Sequence, residues 1–441
     1  RNCQTRVAGG SSSPSSWEHL DAIERKRRND STRAVATSAK SWDIWVPDVS
    51  DRALVIDAGS VLSPAETFSP GRIIIRNGRV DAVGWISDLR LPENAEHVDA
   101  LRFTVVPGFI DPHIHGSAGV DVMDATLLSM NTISRTLARH GTTAFLPTTV
   151  SAPPEILGNT LDRLSTILQE SFEGATPIGI HLEGPFISEQ KRGTHRANNV
   201  RFPDHTLLSD WILRAQGNLK LVTMAPELDG ANIVARFARA SGVMVAMGHS
   251  NASYHEAMTA ADSGTHYAVH TFNAMRAFSH RNSGIVGAVL SDDRVYAEII
   301  ADGVHVSPEV VRIFARSKGR ERILLVTDAI SATGMPDGRY TLGTDEVQVH
   351  GGICRDDDGR LAGSTLTQDA ALQNFIAYSG MRMEDAIFGL TLNPARALKL
   401  EGRGCIDPGA HADLVVLDAG LRVMKTIIGG RIVFEKHGQV Q

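Results

Sequence analysis

Five side chains able to bind a metal ion stand at or just past the ends of short apolar runs: His113 and His115 in PGFIDPHIHG, Glu183 in IGIHLEGPF, His249 in VMVAMGHS and His270 in HYAVHTFNAM. A sixth run, ILLVTDA, ends in Asp328. Imidazole nitrogens and carboxylate oxygens together suit zinc, iron, manganese or cobalt. Such an ion makes water acidic near neutral pH, and a neighbouring acid can take the released proton, so this residue set points to metal-dependent hydrolysis.

Each ligand has a plainer reading. In an extended segment residues two apart share a face, so His113 and His115 can address one ion. A chance His-x-His is nevertheless common in a chain with 17 histidines. A carboxylate at the buried position of Glu183 costs several kcal/mol unless paired or metal-bound, and a salt bridge to Arg192 or another base is its alternative. A single histidine such as His249 or His270 is ordinarily bonded to a loop carbonyl, yet two on successive strands make that reading less attractive. Asp328 could cap the following segment, but an acid on the last strand also suits a water-activating base.

These residues need a scaffold that collects strand ends from distant stretches. Apolar runs end near Ile110, Thr149, Leu182, Met224, Met247, Val269, Ile300 and Thr327, eight in all. Amphipathic helical stretches lie between most of them: Thr126–His140 with apolar Leu127, Leu128, Ile133 and Leu137, then Pro154–Gln169, Ala231–Ala240, and Pro308–Ser317 after the N-cap candidate Ser307. The region of Leu290 shows no clear helix. Eight βα units are the number at which a parallel sheet closes, so the α/β chain is expected to form a (β/α)8 TIM-like barrel over residues 106–395, with its active site where the strands end.

Both flanks read differently. Short β runs with an Asn77-Gly78 hairpin signal occupy the stretch before the barrel, and the last forty or so residues repeat that grammar with Gly429-Gly430. Residues 46–105 and 396–441 are therefore expected to close one small β-sandwich. Residues 1–45, with SSSPSS and ERKRRND, read as a solvated tail or an artefact of where the start was drawn.

At 441 residues the chain has room for one large and one smaller domain. No apolar stretch is long enough to span a bilayer, and a net charge of −6 gives no field to gather nucleic acid or an anionic membrane. A small-molecule partner is expected. Three cysteines without metal-finger spacing fit a reducing cytoplasm.

The whole set, His-x-His on strand one, Glu on three, His on five and six and Asp on eight, resembles the amidohydrolase superfamily. LKLVTMAPE on strand four ends in no lysine, where many members carry a carboxylated one. In detail PGFIDPHIHG, HLEGPF followed by KRGTH, MGHS, HTFNAM, ADGVHV, VTDAISATG, LAGSTLT and TLNPARAL resemble the N-acetylglucosamine-6-phosphate deacetylase family over nearly all of residues 50–435. The resemblance implies release of acetate from N-acetylglucosamine 6-phosphate in amino-sugar metabolism. It implies a principal divalent ion, zinc by default, on Glu183, His249 and His270, and a second on His113 and His115 bridged by Glu183; both histidines being present favours two ions. It makes Asp328 the proton carrier and His195 the group that polarises the acetyl carbonyl. Sugar and phosphate contacts fall on Thr194, Asn273, Ala274, Arg281, Asp302, His305, Leu361, Ala362 and Gly363, and family members form homodimers in which Arg281 could act across the interface. An N-acetylgalactosamine-6-phosphate deacetylase, another amidohydrolase, or a non-catalytic sugar-phosphate-binding scaffold are the alternatives. A scaffold would have lost ligands, and none is missing.

Overall fold

The computed structural model describes residues 52–64 and 66–436. The tail expected at 1–45 lies outside the described residues.

Five strands open the described chain: β1 (Leu54–Leu62), β2 (Thr67–Phe68), β3 (Gly71–Arg76), β4 (Arg79–Trp85) and β5 (Glu96–Pro107). Eight more follow as β6 (Phe109–Ile114), β7 (Thr142–Thr149), β8 (Ile180–Glu183), β9 (Leu219–Met224), β10 (Met244–Met247), β11 (Tyr267–Ala268), β12 (Tyr296–Ile299) and β13 (Ile323–Leu325). These eight pair in parallel and in sequence order. Helices cover their outer side and side chains fill the interior, so the strands are buried on both faces, as in the uniformly buried TTAFLPTT of β7. The eighth strand returns to the first at the mouth, where the Asp328 N–H donates to the His113 carbonyl at 3.0 Å and the His115 N–H to the Ala329 carbonyl at 2.8 Å. Behind them the Thr327 hydroxyl donates to buried Asp111 at 2.6 Å. All eight expected strands are present, and the barrel is nearly closed.

Helices α1 (Leu127–Arg139), α2 (Pro154–Ile167), α3 (His205–Arg214), α4 (Ala231–Ala240), α5 (Tyr254–Asp262), α6 (Gly284–Ser291) and α7 (Pro308–Lys318) alternate with the strands. In α1 a Thr126–Ser129 capping box starts the helix, and Met130, Ile133 and Leu137 form its buried stripe. Leu127 and Leu128, expected on that stripe, are exposed, because they occupy the first turn ahead of it. The Leu290 region is helical after all: α6 is buried from Gly284 to Val289, so it has no polar face and no readable period. Ser307 stands at the N-cap of α7, but its side chain makes no capping bond and Pro308 at the first turn sets the start.

A meander, β14 (Gly338–Leu342), β15 (Asp345–His350) and β16 (Ile353–Arg355), follows the eighth strand, and α8 (Gln368–Ser379) succeeds it. The chain then contributes β17 (Leu414–Leu417), β18 (Val423–Ile428) and β19 (Arg431–Glu435) to the sheet begun at the other end. The result is one mixed eight-stranded sheet ordered β19-β18-β17-β5-β1-β3-β4, with β2 beside β1. Both hairpin signals are used as expected, with φ of 49° and 72° at Asn77-Gly78 and 54° and 74° at Gly429-Gly430. Strand β17 ties the two parts together by its alternation. Leu414 and Val416 join Ile56, Ile73, Val98 and Ile427 in the small sheet's core, whereas Val415 and Leu417 pack with Val106 and Phe109 under the barrel. Among the described residues no helix is long and apolar enough to cross a membrane.

Candidate metal centre and pocket

Strands β10, β11 and β13 are each followed by a polar residue whose backbone lies in the left-handed region: His249 at φ 46°, His270 at φ 25° and Asp328 at φ 51°. For residues other than glycine this costs on the order of 1–3 kcal/mol each, a pattern that concentrates at functional sites. The strained turns bring the three side chains to the barrel mouth, where β6 and β8 deliver His113, His115 and Glu183.

Glu183 is the hub. Its Oε1 lies 3.1 Å from His270 Nε2, 3.2 Å from His249 Nε2 and 3.3 Å from His113 Nε2. Its Oε2 lies 3.3 Å from His115 Nε2 and 3.6 Å from His195 Nε2. Asp328 Oδ1 adds contacts of 3.2 Å to His115 Nε2 and 3.7 Å to His113 Nε2. Arg192, the alternative partner of Glu183, instead donates to the His195 carbonyl. Burial would raise the Glu183 carboxyl, but the surrounding imidazoles, His113 foremost, hold it well below the usual carboxylate range. Asp328 is held low in the same way against its burial, with His115 the leading partner.

The far ring nitrogens decide what each imidazole presents. His115 Nδ1 faces the Thr148 carbonyl at 3.2 Å, His249 Nδ1 the Lys191 carbonyl at 3.0 Å and His270 Nδ1 the Asn273 carbonyl at 3.2 Å. A carbonyl only accepts, so these three carry a proton on Nδ1, and in the neutral ring each turns an Nε2 lone pair to the centre, where a cation can take it. With no cation there, Glu183 and Asp328 favour a second proton on His115 and His270 against their burial. His113 does the same through Glu298, 2.9 Å from its Nδ1. His195 is opposite: its Nδ1 accepts the Ser151 backbone N–H at 3.1 Å, so in the neutral ring Nε2 bears the proton. In the neutral rings four lone pairs and one N–H therefore converge.

This donor set fits a divalent ion. His249 Nε2 and His270 Nε2 stand 3.1 Å apart, too close for two facing lone pairs without a cation or an added proton between them. Buried His113 Nε2 makes no hydrogen bond. The side chains also form three overlapping groups with ligand atoms within 4.8 Å of one another: His113, Glu183 and His270; His113, His115 and Asp328; Glu183, His195 and His249.

A cavity of about 270 Å³ opens over the cluster, bordered by Thr194, His195, Asn273, Ala274, His305, Leu361 and Gly363 among the expected contacts. Gly193 lets the GTH turn pass close to the His249 ring: at φ +60° an added Cβ would come within 3.3 Å of Cε1. Gly363 serves the opposite wall, where a Cβ would fall 2.3 Å from Ile330. His305 turns Nδ1 to Asp302 at 2.7 Å, so Asp302 orients it from outside the cavity. Ala362 is fully buried behind the wall. Arg281 is exposed and does not border this cavity.

Other residues here were not foreseen. Leu342, Asp345, Val347, Asp356 and Arg360, from the meander and the turn after it, form one wall. Glu298 on β12 backs His113, and its only sequence signal was an acid within the apolar run YAEII. His181, one residue from the centre of IGIHLEGPF, is fully buried between the Thr148 and Thr223 hydroxyls, and burial drives its basicity well down.

Residues 104–433 match a model of the amidohydrolase family. The N-acetylgalactosamine-6-phosphate deacetylase of Escherichia coli O157:H7 is 41% identical over 361 residues, covering 79% of this chain and 96% of that relative. The N-acetylglucosamine-6-phosphate deacetylase of Vibrio furnissii is 38% identical over 360 residues, covering 81% and 90%. Among solved structures, a variant of the Mycobacterium smegmatis N-acetyl-D-glucosamine-6-phosphate deacetylase in complex with N-acetyl-D-glucosamine-6-phosphate superposes with a TM-score of 0.82 at 35% identity, covering 87% of this chain and 99% of that one.

Proposed function

This chain belongs to the amidohydrolase family, and on that premise we propose that it hydrolyses the acetamido group of N-acetylglucosamine 6-phosphate to acetate and glucosamine 6-phosphate. The observation that carries this reading is the opposed polarity of the neutral imidazoles around Glu183: the Nδ1 partners leave four Nε2 lone pairs able to meet an ion, and leave His195 an Nε2–H able to meet a substrate oxygen.

Glu183, His249 and His270 would hold the principal ion, and His113 and His115 a second, with Glu183 shared between them. Mixed nitrogen and oxygen donors suit zinc first, with iron, manganese and cobalt also accommodated. When bound, the ion supplies Lewis acidity to water and to the acetyl carbonyl. Asp328, an anion in this setting, accepts the proton lost as water adds to the acetyl carbon. It then delivers that proton to the sugar nitrogen as the C–N bond breaks. His195 donates through Nε2–H to the carbonyl oxygen as it gains charge. Thr194, Asn273, Ala274, His305, Leu361 and Gly363 line the sugar's path.

The phosphate needs a local cation in a chain of net charge −6. Arg281, on an exposed loop away from its own cavity, serves this purpose in a homodimer, where it reaches the pocket of the second copy. We place the enzyme in the cytoplasm, which keeps free thiols such as Cys354 and Cys405 reduced.

The 41% identity to a galactosamine-type relative favours a second reading, N-acetylgalactosamine 6-phosphate as substrate. Acetate release from each sugar phosphate, with and without chelator, tests both. Turnover of neither sugar by metal-loaded protein would sink the proposal.

A further inference from the structure

Glu298 is a fully buried carboxylate at the floor of the barrel mouth, one strand away from any residue expected to bind the ion. It receives three donors: His113 Nδ1–H at 2.9 Å and the His270 backbone N–H at 3.0 Å on Oε2, and the Tyr267 hydroxyl at 2.8 Å on Oε1. A backbone N–H can only donate, and so can a hydroxyl directed at a carboxylate, so Glu298 is held as an acceptor from three sides. The proton of His113 is thereby kept on Nδ1. Its Nε2, buried, without a hydrogen bond and 3.3 Å from Glu183 and 3.7 Å from Asp328, is left as the nitrogen able to offer a lone pair to a cation.

The other three lone-pair imidazoles lean on neutral backbone carbonyls. Only His113 leans on a charged group. A carboxylate behind an imidazole raises its strength as a ligand and locks its ring, and loss of such an outer partner typically weakens metal binding by about 10- to 100-fold.

We propose that Glu298 is the positioning residue that builds the second metal site: through His113 it makes the His113/His115 pair able to retain its own ion. Tyr267 steadies Glu298, and the bond to the His270 backbone sets the two sites against one support. This inference rests on the two-ion reading above and goes beyond it by naming what decides occupancy of the second position.

The test loads the full-length protein with zinc and measures ions per chain by elemental analysis and the affinity of each ion by chelator competition. Wild-type protein should take two. Glu298→Gln keeps the shape and removes the charge, and should weaken the second zinc about 10-fold, the lower end for such partners, while changing the first far less. In a His113→Ala background the same change should have no further effect on zinc affinity, because the route through His113 is gone. Tyr267→Phe should move the second ion the same way by a smaller factor, and carries the test if Glu298→Gln does not fold. Unchanged second-ion affinity, equal loss of both ions, or full additivity with His113→Ala overturns the inference alone. A wild-type protein holding a single zinc overturns the two-ion reading and the inference with it.

Discussion

The backbone N–H of Ser151 donates to His195 Nδ1 at 3.1 Å, which makes His195 the one imidazole of the cluster whose neutral ring presents a proton rather than a lone pair. The residue is fixed by a strand-end amide, so its polarity does not depend on any other side chain.

His195→Ala should therefore act on catalysis and not on metal content. Removing a donor aimed at developing oxyanion charge lowers kcat by about 10²- to 10³-fold. Steady-state kinetics beside elemental analysis reads both. A variant that loses zinc in proportion to its activity would make His195 a ligand instead.

Asp328→Asn should reduce turnover by at least about 10³-fold, since one carboxylate is asked both to take and to return the proton. Asparagine tolerates the left-handed backbone found at φ 51°, so the fold should survive. The ion on Glu183, His249 and His270 should remain. Near-native rates would remove Asp328 from the proton-carrying role.

How far this centre could be read from the sequence follows from what an apolar run encodes. A run that stops on a histidine or acid marks a barrel strand and its mouth together, so β6, β8, β10, β11 and β13 came with their functional ends attached. What depends on a partner from elsewhere stayed hidden. No local pattern says that Ser151 faces His195 Nδ1 while Lys191 faces His249 Nδ1, yet that difference separates the proposed hydrogen-bond donor from a proposed ligand. Glu298 sits mid-run in YAEII, where neighbours on both sides are apolar and only the tertiary contact with His113 explains it. Helix α6 lacked a polar face, so burial on all sides erased its period. The meander wall was missed because its strands, exposed on alternate residues, resemble any surface hairpin.

Arg281 and Arg360 are separable candidates for the phosphate. Arg360 borders the cavity of its own chain and is held by Asp358 at 2.7 Å, whereas Arg281 borders no part of it. If a second copy supplies the cation, Arg281→Ala should raise KM for the 6-phosphorylated sugar about 10-fold or more, the scale of a lost charged hydrogen bond of roughly 1.5 kcal/mol or above. It should leave the unphosphorylated sugar unaffected, and Arg360→Ala should do little. The opposite ranking would place phosphate recognition within one chain and remove the need for a dimer. KM for both sugars, with the oligomeric state from light scattering, decides between them.

Stability should depend on pH through the small sheet, away from the metal centre. Asp57 on β1 accepts a two-pronged bond from Arg72 on β3, with Nε to Oδ1 at 2.6 Å, and a third contact from His97 Nε2 at 2.9 Å. The Arg72 hydrogen bond, outweighing burial, lowers the Asp57 carboxyl below its ordinary value. A depressed folded-state pKa means stabilisation that is present above the unfolded value of about 3.9 and lost as pH falls through the folded one. Arg72→Met removes the main partner of a nearly buried carboxylate and should cost about 3 kcal/mol at neutral pH, the low end for a broken buried pair because His97 remains. Measured as the Tm difference between wild type and variant, the gap should narrow below about pH 4, when Asp57 in the variant can be neutral without penalty. It should not vanish, since Arg72 also donates to the Leu89 carbonyl at 2.6 Å. A gap that stays constant from pH 7 to pH 3 would show that Arg72 stabilises the sheet by packing and that carbonyl bond alone.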